Sequence, residues 1–348
     1  MKKFKYYISF ITILLAIVLS ACSATEENTI ADMINQTASS MQQLTGKNNI
    51  LSQQEILPAG NSAGDWTAMT LAFSDVDDDF DDYLLRLQQY VVQQYDEEGY
   101  LHRIKATEYH RIALTMLALG ADPSAVEYNG GYINLIADGT YKFHTGSPGQ
   151  QGSNGLIYAL LSLDAMDYVI PSDAAYTREM LVEELLTYQT DKGGFGLDKS
   201  LGGDIDITAM AVQSLANYYE QDNVKIAVDK ALLWLSQQMN DNGTFVSYGA
   251  QNTESGAQVI LALCAMGIDP CESEMFTKSG VTVLDGMNSF RTKDGLYKHT
   301  ADDAEYNHMS TYQALLALEA VEKLQTNSGW IFDFSGYVAP QNRQLNGD

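Results

Sequence analysis

Asp204-Ile205-Asp206-Ile207-Thr208-Ala209 is the stretch of this chain best equipped for chemistry. Burial and a like charge both raise a carboxyl pKa, so two acids two residues apart can keep one of the pair protonated. A carboxylic acid held neutral near pH 7 is a proton donor. Asp206 and Asp204 are therefore the candidate catalytic pair. The competing reading is structural. An Asp just ahead of an apolar helical run accepts free backbone N–H groups, and the expected role of Asp206 is to cap a helix that starts at Ile207.

Other acidic and metal-type residues read more plainly. Asp75-Val76-Asp77-Asp78-Asp79-Phe80-Asp81-Asp82 is dense in carboxylates but lacks the glycine and closing glutamate of a calcium loop, and is expected to be the solvated start of a helix. His299, Asp302, Asp303, Glu305 and His308 form a loose group that reads as a polar surface loop, and no metal site is expected. Eight ring side chains, Trp66, Tyr109, Phe143, His144, Phe195, Tyr248, Tyr306 and Tyr312, stand near the starts of small, apolar helical runs. If those starts share one opening, the rings line a funnel and are candidate ligand contacts. Alternatively, half of them plug the junctions between helices.

The elements that would position these residues come from a repeat. A helix ends in a glycine–aromatic turn, and a small-residue helix follows. The turns are Gly99-Tyr100, Gly139-Thr140-Tyr141, Gly193-Gly194-Phe195, Gly243-Thr244-Phe245 and Gly295-Leu296-Tyr297. The following helices are apolar nearly all round and must be buried, whereas the helices between them are half polar. Aligning the units sets Asp65, Thr107, Asn154, Asp206, Glu254 and Met309 at matching positions, at a spacing of roughly 42 to 55 residues. One such unit cannot bury its own apolar face and must stack on its neighbours. The expectation is an all-α chain, an (α/α)6 toroid of six inner and six outer helices, with a straight solenoid as the alternative.

The chain has 348 residues, of which 45% are apolar, enough for a sizeable core. Its formal net charge is −25. Lys2, Lys3 and Lys5 are the only charges before residue 22, so the remainder is more acidic still, a surface that repels nucleic acid and anionic lipid headgroups. Those lysines precede an apolar run from Ile8 to Leu19 that is short for a membrane span, followed by Leu19-Ser20-Ala21-Cys22. The organisation expected is a signal segment over 1–21, a polar spacer over 22–28, the repeat domain over 29–325 and a tail over 326–348. Of the remaining cysteines, Cys264 and Cys271 are expected as buried thiols, with a disulfide as the alternative.

Leu19-Ser20-Ala21-Cys22 resembles a bacterial lipoprotein signal with its lipobox. That implies lipidation at Cys22 and an extracytoplasmic protein tethered to the cell membrane without spanning it. From Trp66 to about Ala320 the chain resembles the terpenoid-cyclase and protein-prenyltransferase α/α-toroid superfamily. Within it, the chain is most similar to secreted bacterial prenyltransferase/squalene oxidase repeat proteins, relatives of the toroid of intrinsic factor and transcobalamin. The resemblance rests on Gln151 to Leu160, Asp204 to Ala211 and Asn252 to Val259.

It implies an acid at Asp206, since class II terpene cyclases carry Asp-x-Asp-Asp-Thr-Ala there. Ile207 replaces the last carboxylate. The zinc ligands of the protein prenyltransferases do not transfer, because Asp269 and Cys271 follow an inner helix and His308 precedes one. Two functions follow as expectations, with a scaffold that takes no small ligand as the further alternative. The first is binding of a small molecule or a surface partner protein in the mouth of the ring, with an apolar isoprenoid-like compound or a cobalamin-type corrinoid as the ligand. The second is a terpenoid cyclase or prenyltransferase-like enzyme using Asp206 as general acid.

Overall fold

The computed structural model describes residues 29–338 and Pro340. The signal segment, Cys22 and the spacer lie outside the described residues. Among the described residues, twelve α-helices alternate between two layers. The outer layer holds α1 (Ile30–Gln42), α3 (Phe80–Glu98), α5 (Leu135–Gly139), α7 (Arg178–Leu186), α9 (Asp222–Gln238) and α11 (Val283–Asn288). The inner layer holds α2 (Ser62–Phe73), α4 (Ala106–Ala118), α6 (Ser153–Asp164), α8 (Ile205–Leu215), α10 (Thr253–Ala265) and α12 (His308–Gln325). Each inner helix packs on the next, and α12 packs on α2. The ring is closed, and the solenoid alternative falls. No described helix is long and apolar enough to cross a membrane.

Closure is fastened at the first outer helix. The Thr37 hydroxyl of α1 donates to the Gly295 carbonyl at 2.8 Å, and Gln36 donates to Lys293 O at 3.0 Å. The N-terminal helix thus grips the last glycine–aromatic turn, so both ends of the repeat array bury their apolar faces.

The turns act as junction plugs. Phe195, Phe245 and Tyr297 are fully buried. The Phe195 N–H donates to Thr208 Oγ1 at 2.8 Å, and the Tyr297 N–H donates to Thr311 Oγ1 at 3.0 Å, so one scheme recurs in two repeats. Only Gly99 directly ends its outer helix in the left-handed conformation; Gly193, Gly243 and Gly295 lie several residues beyond theirs.

Three short hairpins were not expected from the sequence. They pair β1 (Val126–Tyr128) with β2 (Gly131–Ile133), β3 (Phe245–Ser247) with β4 (Ala250–Asn252), and β5 (Thr277–Lys278) with β6 (Val281–Thr282). Their two-residue loops, Asn129-Gly130, Tyr248-Gly249 and Ser279-Gly280, have positive φ throughout, as a hairpin with right-handed strand twist requires.

The stretch after Gln325, read from sequence as a tail, is packed over its described part. It crosses the C-terminal ends of the inner helices. The Phe334 N–H donates to Ala165 O at 2.9 Å, the Tyr337 hydroxyl donates to Ala72 O at 2.7 Å, and Phe73 contacts both rings. This strap covers the end of the ring opposite the helix N-termini.

Candidate functional site

The inner helices begin on one face of the ring, and their first turns hold its polar groups. Thr107, Asn154, Asp206, Glu254 and Met309 are each the second residue of their helix, as the alignment of the repeats requires. Asp65 lies deeper, as the fourth residue of α2, and is fully buried. It accepts from the Tyr83 hydroxyl at 2.8 Å, from Gly60 N at 3.0 Å and from Arg111 Nε at 2.9 Å. The buried carboxylate is therefore paired, which its burial demands. Glu254 accepts from the Ser310 hydroxyl at 2.5 Å and pairs with His299 Nδ1 at 2.8 Å. His308 Nε2 meets the Thr67 hydroxyl at 2.8 Å.

Asp206 differs from these. The expected cap is corrected: the helix begins at Ile205, and Asp204 is the N-cap, accepting the Ile207 N–H at 3.0 Å. The same place two residues earlier is filled by Asn252 in α10 and Asn307 in α12, and each caps its helix. Asp206 is relieved of capping and sits half-buried with its Oδ1 enclosed and unpartnered. Burial pushes its carboxyl up to about 6. The Ser255 hydroxyl opposes the rise, the carboxylates of Asp204 and Glu254 add to it, and His299 opposes it weakly.

Asp206 borders an axial cavity of about 150 Å³. Trp66, Tyr158 and Tyr312 supply aromatic walls, Met210, Leu261 and Leu316 apolar ones, and Phe332 of the C-terminal strap closes the floor. Trp66 and Tyr158 meet edge-on, with centroids 6.1 Å apart. Three glutamines on successive inner helices form a directional chain along the wall. Gln213 Nε2 donates to Gln258 Oε1 at 3.0 Å, and Gln258 Nε2 donates to Gln313 Oε1 at 3.0 Å. On the outer side of Asp206 and Met210 lies a second hollow, a groove of about 570 Å³. It is bounded by Asn154, the 201–207 loop, Trp234, Gln238 and the Tyr248 hairpin tip.

Of the eight ring side chains expected at a funnel, the structure brings Trp66 and Tyr312 to the axial cavity. Tyr248 reaches only the outer groove and is 97% exposed. The other five are placed elsewhere. Tyr109 is fully buried and takes the Leu101 N–H on its hydroxyl at 3.0 Å. Phe143 packs edge-on against Tyr109, and Phe195 plugs its junction. His144 stacks on Tyr100 at the surface, and Tyr306 is an exposed loop residue. The corrected reading is that the ring following a glycine turn packs between repeats, while a cavity-facing ring lies a full turn inside its helix. Tyr158 and the glutamine chain went unrecognised, although Tyr158, Gln258 and Gln313 are each the sixth residue of their helix.

The acidic run is also corrected at one position. Asp78 is buried and accepts from Leu51 N at 3.1 Å and Ile50 N at 3.2 Å, so it fastens the preceding loop. Cys264 and Cys271 are free thiols at the far end of α10. Among the described residues no three His, Cys, Asp or Glu side chains converge as metal ligands.

Residues 148–269 match the family model described as the prenyltransferase alpha-alpha toroid domain. The ring is an α/α-toroid, and its middle third matches that model. The toroid is similar to the Candida albicans protein geranylgeranyltransferase-I complexed with GGPP, at 12% identity and a TM-score of 0.56, over 90% of this chain and 97% of that one. It is equally similar to the unsaturated glucuronyl hydrolase of Bacillus sp. GL1, at 12% identity and a TM-score of 0.56, over 89% of this chain and 99% of that one. At such identity the likeness concerns the fold, and one fold hosts many functions. The sequence matches no curated protein.

Proposed function

We propose that this toroid binds a small molecule at the mouth of its ring, with Asp206 as the ionisable contact, and that Cys22 tethers it by lipid to the outer side of the bacterial cell membrane. The observation that carries the binding reading is Asp206 itself. Its helix is capped by another residue, its buried Oδ1 makes no hydrogen bond to a described residue although the Ser255 hydroxyl stands close, and it borders an aromatic cavity. A buried polar group left unpaired costs free energy that a ligand can recover.

Size narrows the occupant. About 150 Å³ is below the usual range for drug-sized ligands and takes about one six-membered ring. A corrinoid or a long isoprenoid, the two ligands suggested by toroid relatives, would engage the cavity by one end only. A surface partner protein would do so through an inserted side chain. The test is native mass spectrometry of the protein purified from its own host, compared with Asp206→Asn. A bound mass present in the wild type and lost in the variant supports binding. A mass retained in both, or an empty wild type that takes up nothing from a metabolite extract, overturns it.

One observation favours the enzymatic reading. A carboxyl at about 6 is poised to donate a proton near neutral pH. Catalysis would then show as turnover of the captured compound, abolished in Asp206→Asn with the fold intact.

A further inference from the structure

We infer that the occupant is a carbohydrate of at least two units, one ring in the axial cavity and the next in the groove beyond Asp206; this rests on the binding reading above.

The first support is donor and acceptor accounting. The cavity wall presents the Tyr158 and Tyr312 hydroxyls, the Asp206 carboxylate and three glutamine amides among its lining groups. The glutamine chain is used up internally except at its ends, where the Gln313 amide N–H groups and Gln213 Oε1 enter no hydrogen bond with a described residue. The wall therefore offers donors and acceptors together. A hydroxyl answers both, since it donates one proton and accepts on two lone pairs. A hydrocarbon would leave the Asp206 carboxylate, the Tyr312 hydroxyl and the two ends of the glutamine chain desolvated and unpaired, whereas the Tyr158 hydroxyl keeps its contact with Met210 Sδ at 3.4 Å. An organic cation would satisfy Asp206 and leave the amide and phenol donors facing like charge. A phosphate would meet the Asp206 carboxylate in the cavity and both Asp204 and Asp206 in the groove.

The second support is shape. The axial cavity and the groove share Asp206 and Met210 as their common boundary, so rings seated in the two hollows would both lie against this one carboxylate. Each hollow also has an indole. Trp66 lines the cavity, and Trp234 lines the groove. Trp234 is laid flat on the 193–203 loop by missing side chains: a Cβ at Gly194 would stand 2.8 Å from its ring, and one at Gly203 3.1 Å. An apolar ring face beside amides and a carboxylate suits a sugar, which has C–H faces and a hydroxyl rim.

The chain has three tryptophans, and the third, Trp330, meets Phe332 edge-on in the strap. Emission can therefore be assigned with Trp66→Phe and Trp234→Phe. The probes are neutral, N-acetylated and uronic-acid mono- to tetrasaccharides, tetramethylammonium and geranylgeraniol. The expected result is that a monosaccharide perturbs Trp66 alone, while a disaccharide of the same series perturbs Trp66 and Trp234 and binds about tenfold tighter, because the second contact is intramolecular. Saturation by tetramethylammonium or geranylgeraniol, dependent on Asp206, with no response to any saccharide, overturns the carbohydrate inference and leaves the binding reading standing. No response of Trp66 to any probe overturns the inference, and the mass-spectrometric result then decides the binding reading separately. A disaccharide that binds no tighter than its monosaccharide and leaves Trp234 silent overturns the two-unit arrangement.

Discussion

Asp204 and Asp206 stand two residues apart on one helix start and do opposite work: Asp204 accepts the Ile207 N–H at 3.0 Å, while Asp206 Oδ1 is buried without a partner. Asp204→Ala should therefore cost about 1 kcal/mol, the usual loss of an N-cap. Asp206→Asn should behave in the reverse sense. In the unfolded chain the Asp206 carboxyl ionises near 4, and in the fold at about 6. Between those values the folded state holds the extra proton. Stability therefore falls as the pH climbs through this window and is level above it. At pH 7.5 Asp206→Asn should be more stable than the wild type by about 1–2 kcal/mol, allowing for screening at a half-buried site. At pH 4 the two should agree. Urea unfolding at both pH values checks this, and a variant no more stable at pH 7.5 would contradict the assignment.

The division of labour between these two residues also shows what the sequence could reveal. Ring closure, the alternation of layers and the equivalence of Asp206 with Glu254 were legible because burial and repetition leave a periodic trace. Capping was misassigned by two residues, since several Asx side chains at a helix start compete for the same N–H groups. The aligned Asx at 204, 252 and 307, each two residues before the aligned position, was the signal that would have settled it. The cavity was harder to read. Tyr109 and Tyr158 are the same residue type near a helix start, but they are the fourth and sixth residues of their helices, about 200° apart in rotation, so one plugs a junction and the other faces the axis. The offset is legible once the repeats are aligned, but which of the two faces meets the axis is not, because small-residue helices that are apolar all round leave it unmarked.

Asp65 and Arg111 form a buried ion pair between α2 and α4, with Nε–Oδ2 at 2.9 Å. Arg111→Met removes the cation and strands a fully buried carboxylate. The expected loss is about 3–5 kcal/mol. Asp65→Asn combined with Arg111→Met should recover part of it, because no uncompensated charge remains. Thermal unfolding of the single and double variants gives the coupling, and additive losses would mean that the pair acts independently.

Gly286 of α11 lies against the Gly243 turn. A Cβ there would stand 2.1 Å from Gly243 O, a backbone atom that cannot swing aside. Gly286→Ala should force α11 off the turn and cost at least about 1–3 kcal/mol, as overpacking does. Gly202, which meets nothing within 4 Å, is the control, and its alanine variant should change the unfolding midpoint little. Equal effects at the two positions would refute the packing argument.

Phe332 forms the floor of the axial cavity and contacts Trp330 edge-on at 5.5 Å. Phe332→Ala should enlarge the cavity from below while leaving Asp206 and the glutamine chain in place. The stability loss expected for a large-to-small change at a buried ring is about 3–5 kcal/mol. A ligand held mainly through the mouth should keep its dependence on Asp206 in this variant, and its release should be faster because the cavity now opens at both ends. Stopped-flow dissociation of the captured compound from wild type and Phe332→Ala distinguishes the cases. An unchanged release rate together with a full-sized stability loss would mean that the strap serves the fold and leaves the site untouched.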